Sequence, residues 1–262
     1  MQKILEDLKK GRISVSDAEK LLREQFLDIY GIACLDLARD HRTGVPEVVL
    51  AEDKTIDQIV TIAAKMLKHT GRVIISRLTS ERKMDFKKRL KTNKHFKNMK
   101  FFYHETAKLC IIHDKRFKSD SSGGRVGIIT AGTTDIPVAE EARLIVEELG
   151  CTAFTAYDIG VAGAHRLVEP LKKMVRENVD VLIVLAGREG ALPTLIAGIV
   201  DIPVIAVPIS TGYGIEGKGK TALYAMLQSC SPLVVVNIDA GFVAAAVASK
   251  IANRMANARK NN

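Results

Sequence analysis

From Arg125 onward the chain repeats one pattern five times: a short apolar run, a turn rich in small residues, then a helical segment. The runs are RVGIITAG, CTAFTAYDIG, VDVLIVLAG, IPVIAVPIS and PLVVVNID, and the helical segments begin near Asp135, Gly163, Ala191, Gly217 and Gly241. A strand apolar on both faces must be covered on both faces, and a helix between two strands carries the chain back to pair them in parallel. The pattern therefore predicts an α/β doubly wound parallel sheet, with helices on both sides and crossovers of one hand.

The preceding half has a different character. Residues 1–122 hold 26 Lys/Arg and 17 Asp/Glu, a formal excess of +9, whereas residues 123–262 hold 13 of each. A polar break over Ser119–Gly124 separates the halves, so the expected domains are 1–120 and 124–258. In the first, LEDLKKGRISVSDAEKLL reads as two short helices about Gly11, the second opened by a capping box of Ser16 and Glu19, an expected oligomerisation or docking module. TIDQIVTIAAKMLKHTG has helical spacing that stops at Gly71. The strand RVIISRL, a charged helix and the strand KLCIIHD follow, which suits a small basic α+β domain. The lysine run from Lys87 to Lys100 reads as a solvated helix face, and nucleic acid is not an expected partner. Four scattered cysteines without a CxxC pair suggest neither a zinc site nor a disulfide framework. No apolar run is long enough to span a bilayer, and the start MQKILEDLKKGR is charged, so the expectation is a cytoplasmic protein with no membrane partner.

Ligands of such sheets bind beyond the carboxyl ends of the strands, in the loops AGTTDIP, DIGVAGAHR, AGREGALP, PISTGYGIEGKGK and NIDAGF. Small residues there let backbone N–H groups approach an anion, so a phosphorylated ligand is expected. Thr133, Thr134, Ser210 and Gly212 are candidate donors to phosphate or carboxylate oxygens, and Tyr213 a candidate ring contact. Gly187, Arg188 and Asp239 complete the expected substrate-binding set. Asp135, His165 and Glu189 are the titratable candidates in the same loops.

GTTDIPVAEEA, GAHR and AGREGALPTLIAGIVDIPVIAVP resemble the phosphoribosylaminoimidazole carboxylase and carboxyaminoimidazole ribonucleotide mutase fold, over residues 124–256. The resemblance implies a flavodoxin-like sheet, a role for Asp135, and proton handling by His165. It departs where those enzymes carry a second His before Leu-Pro, since this chain has Ala191, and they lack a Cys before the last strand. A closer resemblance covers nearly the whole chain. LARDHRTGVPEVVLAEDKT, GREGALP, STGYG and SCSPLVVVNIDAGFVAA are similar to the LarB family, pyridinium-3,5-biscarboxylic acid mononucleotide synthase of nickel-pincer nucleotide biosynthesis. That implies carboxylation of nicotinic acid adenine dinucleotide by CO2, with cleavage of its pyrophosphate to release AMP.

A pyridinium ring is electron-poor and CO2 is an electrophile, so a thiolate must first add to the ring to make it nucleophilic. By itself a lone thiol such as Cys230 reads as packing material. With the resemblance, Cys230 is the expected nucleophile, its thiolate favoured by the pyridinium, His165 or Arg188. Glu189 is expected to take the ring proton or activate water. Asp135 is expected to assist or to hold Mg2+ at the pyrophosphate, with no tightly bound organic cofactor. The role of His41, Arg42, Pro46 and Glu47 stays open. The last helix, rich in small residues, is expected to pack against other subunits, and the purine relatives imply a homo-oligomer, an octamer. Two alternatives stand beside this reading: a purine-pathway carboxylase or mutase, and a non-catalytic nucleotide-binding module.

Overall fold

The computed structural model describes residues 2–23, 26–29, 32–115, 117, 120–211 and 217–261. It divides into two compact units, Met1–Lys118 and Ser119–Asn262. Among the described residues no helix is long and apolar enough to cross a membrane.

The first unit opens with α1 (Gln2–Lys9) and α2 (Val15–Arg23). The cap of α2 is formed by Ser14 and Asp17, not by Ser16 and Glu19. The Asp17 N–H donates to Ser14 Oγ at 3.0 Å and the Ser14 N–H donates to Asp17 Oδ2 at 3.3 Å. The helix starts at Val15, so the position before it is the one whose side chain meets the free N–H groups of the first turn. The antiparallel hairpin of β1 (Phe26–Ile29) and β2 (Ala33–Asp36) and the short α3 (Arg39–Thr43) follow.

A four-stranded sheet then forms from β3 (Val48–Leu50), β4 (Arg72–Ser76), β5 (Lys100–His104) and β6 (Leu109–His113), in the order β3-β4-β6-β5. It is mixed, with β3 parallel to β4 and the other pairs antiparallel. The two strands expected from sequence, β4 and β6, are the buried central pair. The two edge strands were not foreseen, because β3 is three residues long and β5 begins only at the last residue of the lysine-rich run. Helix α4 (Ile56–Thr70), capped by Thr55 and Gln58, buries Ile59, Ile62, Ala63 and Met66 in a core shared with Ile75, Ile112 and Phe86 of α5 (Ser80–Thr92).

The second unit carries β7 (Arg125–Thr130), α6 (Ile136–Glu148), β8 (Thr152–Ala156), α7 (Val168–Arg176) and β9 (Val181–Ala186). It continues with α8 (Ala191–Ala197), β10 (Val204–Pro208), α9 (Lys220–Leu227), β11 (Val234–Val235) and α10 (Gly241–Asn261). All five strands are parallel, in the order β11-β10-β9-β7-β8. Numbered within the unit this is 2-1-3-4-5, the flavodoxin-like arrangement. Helices α6 and α10 pack together on one face, while α8 and α9 pack together on the other. Every residue of the central strand β9 is buried, as a strand covered on both faces requires.

The alanines of α10 have a use within the chain. Ala244, Ala245, Ala248, Ser249, Ala252 and Ala256 are buried where the helix lies on α6 and the sheet. Small side chains let two helix backbones approach closely, so the small-residue face of α10 is covered within the chain, while Val243 and Met255 of the same helix stay exposed.

Candidate active site

The chain leaves β7 toward one edge of the sheet and β9 toward the other, so the loops at their carboxyl ends part. A cavity of about 310 Å³ opens there, lined from the ends of β7, β8, β9 and β10. Thr134, Asp135, Gly187, Arg188 and Glu189 are among its walls, as sequence suggested. Thr133 is exposed on the same turn as Thr134, outside the lining.

Asp135 closes a 3-10 turn, Thr133–Asp135, and its Oδ2 accepts the Gly132 N–H at 2.8 Å. Its side chain is nearly sealed from solvent. Burial lifts its pKa above the ordinary carboxylate value; the bonds from Gly132 and Thr134 oppose the rise and the charge of Asp158 adds to it.

A further 3-10 turn, Val161–Leu167, presents Arg166 to the cavity, while His165 is exposed and outside its lining. Arg166 was passed over in sequence, although it sits in the AHR that drew attention to His165. The signal is Gly163: a Cβ there would lie 2.6 Å from Arg166 Nε, so its absence leaves room for the guanidinium to lie against the turn. Arg166 also faces Asp158 across 3.7 Å.

The loop after β9 turns sharply, with Arg188 at φ +47° and Gly190 at φ +65°. A side chain at Gly190 would approach the Ala222 carbonyl oxygen to 2.8 Å, so both the backbone angle and the close packing on α9 call for glycine. The turn leaves the side chains of Arg188 and Glu189 exposed beside each other, with Nε and Oε2 3.8 Å apart. Ala191 lines the cavity at the start of α8.

Ser210 and Asp239 meet each other rather than the cavity lining: the Ser210 N–H donates to Asp239 Oδ1 at 2.9 Å. Asp239, at φ +55°, thus fastens the loop after β10, whose next residue, Thr211, does line the cavity. Gly212 and Tyr213 lie outside the described residues.

Cys230 is exposed in the turn between α9 and β11. Its neighbour Ser229 accepts from Thr194 Oγ1 at 2.9 Å and donates to the Ser231 carbonyl at 3.0 Å. Since β11 runs parallel to β10, this turn lies at the amino ends of the strands, and the cavity lies at their carboxyl ends. The unit's other thiol, Cys151, is buried, and burial raises its pKa.

Among the described residues no three His, Cys, Asp or Glu side chains group as a metal-holding set. Asp135 is sealed, engaged with Gly132 and shifted toward its neutral form. A hard divalent ion requires charged, reachable oxygen ligands. These residues do not fit a resident magnesium ion.

Residues 125–262 match the family described as AIR carboxylase, and residues 26–115 match the LarB/PurE-like N-terminal domain. Over 261 residues the chain is 45% identical to an uncharacterized protein of Methanocaldococcus jannaschii, covering 97% of this chain and 99% of that one. It is 32% identical over 133 residues to the N5-carboxyaminoimidazole ribonucleotide mutase of Thermotoga maritima, covering 47% of this chain and 74% of that enzyme. The probable N5-carboxyaminoimidazole ribonucleotide mutase of Methanothermobacter thermautotrophicus is 37% identical over 133 residues, which is 48% of this chain and 37% of that protein.

Proposed function

The chain belongs to the LarB family, a LarB/PurE-like N-terminal domain followed by an AIR carboxylase domain of carboxylase and mutase type, and we propose that it carboxylates nicotinic acid adenine dinucleotide and cleaves its pyrophosphate. The observation that carries this reading is the content of the crevice. Where the purine enzymes it resembles carry a histidine before Leu-Pro, Ala191 lines the wall, and the acid-base group two residues before it is Glu189. Arg166 and Arg188 supply two cations for a phosphorylated substrate.

The Cys230 thiolate adds to carbon 4 of the pyridinium, and the cationic ring becomes a neutral dihydropyridine. Its enamine carbon 5 attacks CO2, forming the carbon–carbon bond and restoring positive charge to the ring nitrogen. Glu189 takes the proton from carbon 5, and its electron pair expels the thiolate, leaving a pyridinium with carboxylates at carbons 3 and 5. Water cleaves the pyrophosphate, releasing AMP and the dicarboxylated mononucleotide. The arginines hold the phosphates and stabilise the charge that develops on them.

The test is to incubate pure protein with nicotinic acid adenine dinucleotide, magnesium and labelled bicarbonate, and to seek AMP and labelled dicarboxylated mononucleotide by mass spectrometry. Absence of both sinks the reading. The similarity to purine mutases over the second unit favours one alternative, which requires turnover of carboxyaminoimidazole ribonucleotide and indifference to Cys230→Ala.

A further inference from the structure

We propose that the first unit carries a binding site for a small aromatic carboxylate, in a hollow between the last turns of α5 and the edge strand β5. The inference stands on that unit alone and does not rest on the function proposed above. The hollow is half-open and measures about 150 Å³; Leu90, Phe96, Met99, Phe101 and Ile112 form its floor, and Lys87 and Lys91 of α5 its rim. None of the five floor side chains donates a hydrogen bond, so whatever enters must present a face that gives up no hydrogen bond to water. A nucleobase or a sugar would leave polar groups stranded there. An aromatic ring would not, and its edge and face suit Phe96, Phe101 and the Met99 sulfur. An apolar cavity of this size takes up one benzene ring.

The rim fixes the other end of the ligand. Helix α5 carries Arg82, Lys83, Lys87, Lys88, Arg89 and Lys91. Four of these are engaged: Arg82 donates to the carbonyls of Ala51 and Lys54, Lys83 meets Glu105 at 2.8 Å, Lys88 meets Asp85 at 3.7 Å and Arg89 meets Asp57 at 3.3 Å. The remaining two, Lys87 and Lys91, are exposed and meet no carboxylate among the described residues. They stand one turn apart on one helix face, where like charges repel. Lys87 Nζ lies 5.9 Å from the centre of the Phe101 ring, so it faces the aromatic wall of the hollow. A carboxylate between the two ammonium groups would take charge-assisted hydrogen bonds from both and stay in contact with water, while its ring displaces water from the floor. Two unanswered positive charges over an apolar floor specify an anion whose remainder is apolar, and the volume limits that remainder to one ring.

Benzoate is the probe. Titrated into the full chain carrying isotope-labelled methionine methyl groups, it should move the Met99 methyl resonance along a saturable curve, because a ring current acts on nuclei beside the ring. The resonance is identified by its loss in Met99→Leu. Benzamide, equal in shape and neutral, should leave it in place. Hexanoate, whose flexible chain loses more freedom on binding, should bind more weakly than benzoate. Lys87→Gln combined with Lys91→Gln should weaken benzoate binding about tenfold; both positions are exposed, and unmoved resonances of the other methionines would show the variant folded. A Met99 shift that rises without saturating, an equal response to benzamide, or undiminished binding by the folded double variant overturns the proposal. Hexanoate binding as tightly as benzoate overturns the assignment of an aromatic ligand.

Discussion

The two ends of the five-stranded sheet are built differently. At the amino end the chain is stapled: the side chain of Asp180, 2% exposed, accepts the Arg125 N–H at 2.8 Å and is gripped by the Arg259 guanidinium from the last turn of α10. Ser122 Oγ donates to the Gly150 carbonyl at 2.9 Å and the Cys151 thiol donates to Asn253 Oδ1 at 3.0 Å. At the carboxyl end the loops hold four residues other than glycine at positive φ, namely Asp158, Arg188, Lys218 and Asp239. Such angles cost about 1–3 kcal/mol each and persist only where the surroundings impose them. One end therefore anchors the unit, while the other uses that stability to hold polar groups around an open crevice.

Substitutions that separate stability from turnover sharpen this contrast. The largest effect is expected from Glu189→Gln, which should lower kcat/KM about 10³-fold, or about 4 kcal/mol, without moving Tm; a fall in Tm that tracks the activity loss would break the comparison. Next comes Asp180→Ala at the opposite end. It removes the acceptor of the part-buried Arg125 N–H and leaves Arg259 in the last turn of α10 without its carboxylate, and should cost about 3 kcal/mol in chemical denaturation while folded protein keeps its turnover. Gly190→Ala should do both, losing about 2 kcal/mol through strain and contact with Ala222 and raising KM for the dinucleotide. The smallest effect is expected from Asp135→Asn, read as Tm against pH. Because the folded carboxyl has a raised pKa, the folded state keeps a proton that the unfolded chain releases. Wild type therefore loses stability as pH climbs from the unfolded value of about 3.9 through the folded one. The variant should be modestly more stable at pH 7 and indistinguishable below about pH 3; an equal difference at both would show that burial of charge is not the cause.

Much of the fold was legible in the sequence. Strands such as VLIVLA, buried on both faces, cannot be mistaken for half-buried ones, and each is followed by a helix. Edge strands were not legible, since β5 carries lysine and aromatic residues as readily as a loop would. In the candidate site, the rule that parallel sheets bind at their carboxyl ends pointed to the loops that line the cavity. Within those loops residue type was a poor guide. Asp239 and Ser210 look like ligands and bond to each other, whereas Arg166, one position from the histidine that drew attention, turns into the cavity.

Residue periodicity alone determined that residues 125–262 form a parallel sheet with covered faces, because burying an apolar strand is a requirement each segment carries in its own composition. Which loop residues converge, and that Cys230 stands at the far end of its own sheet from the crevice, was decided only by the tertiary structure. Strand order and loop closure depend on pairings between distant segments, and no local pattern encodes them.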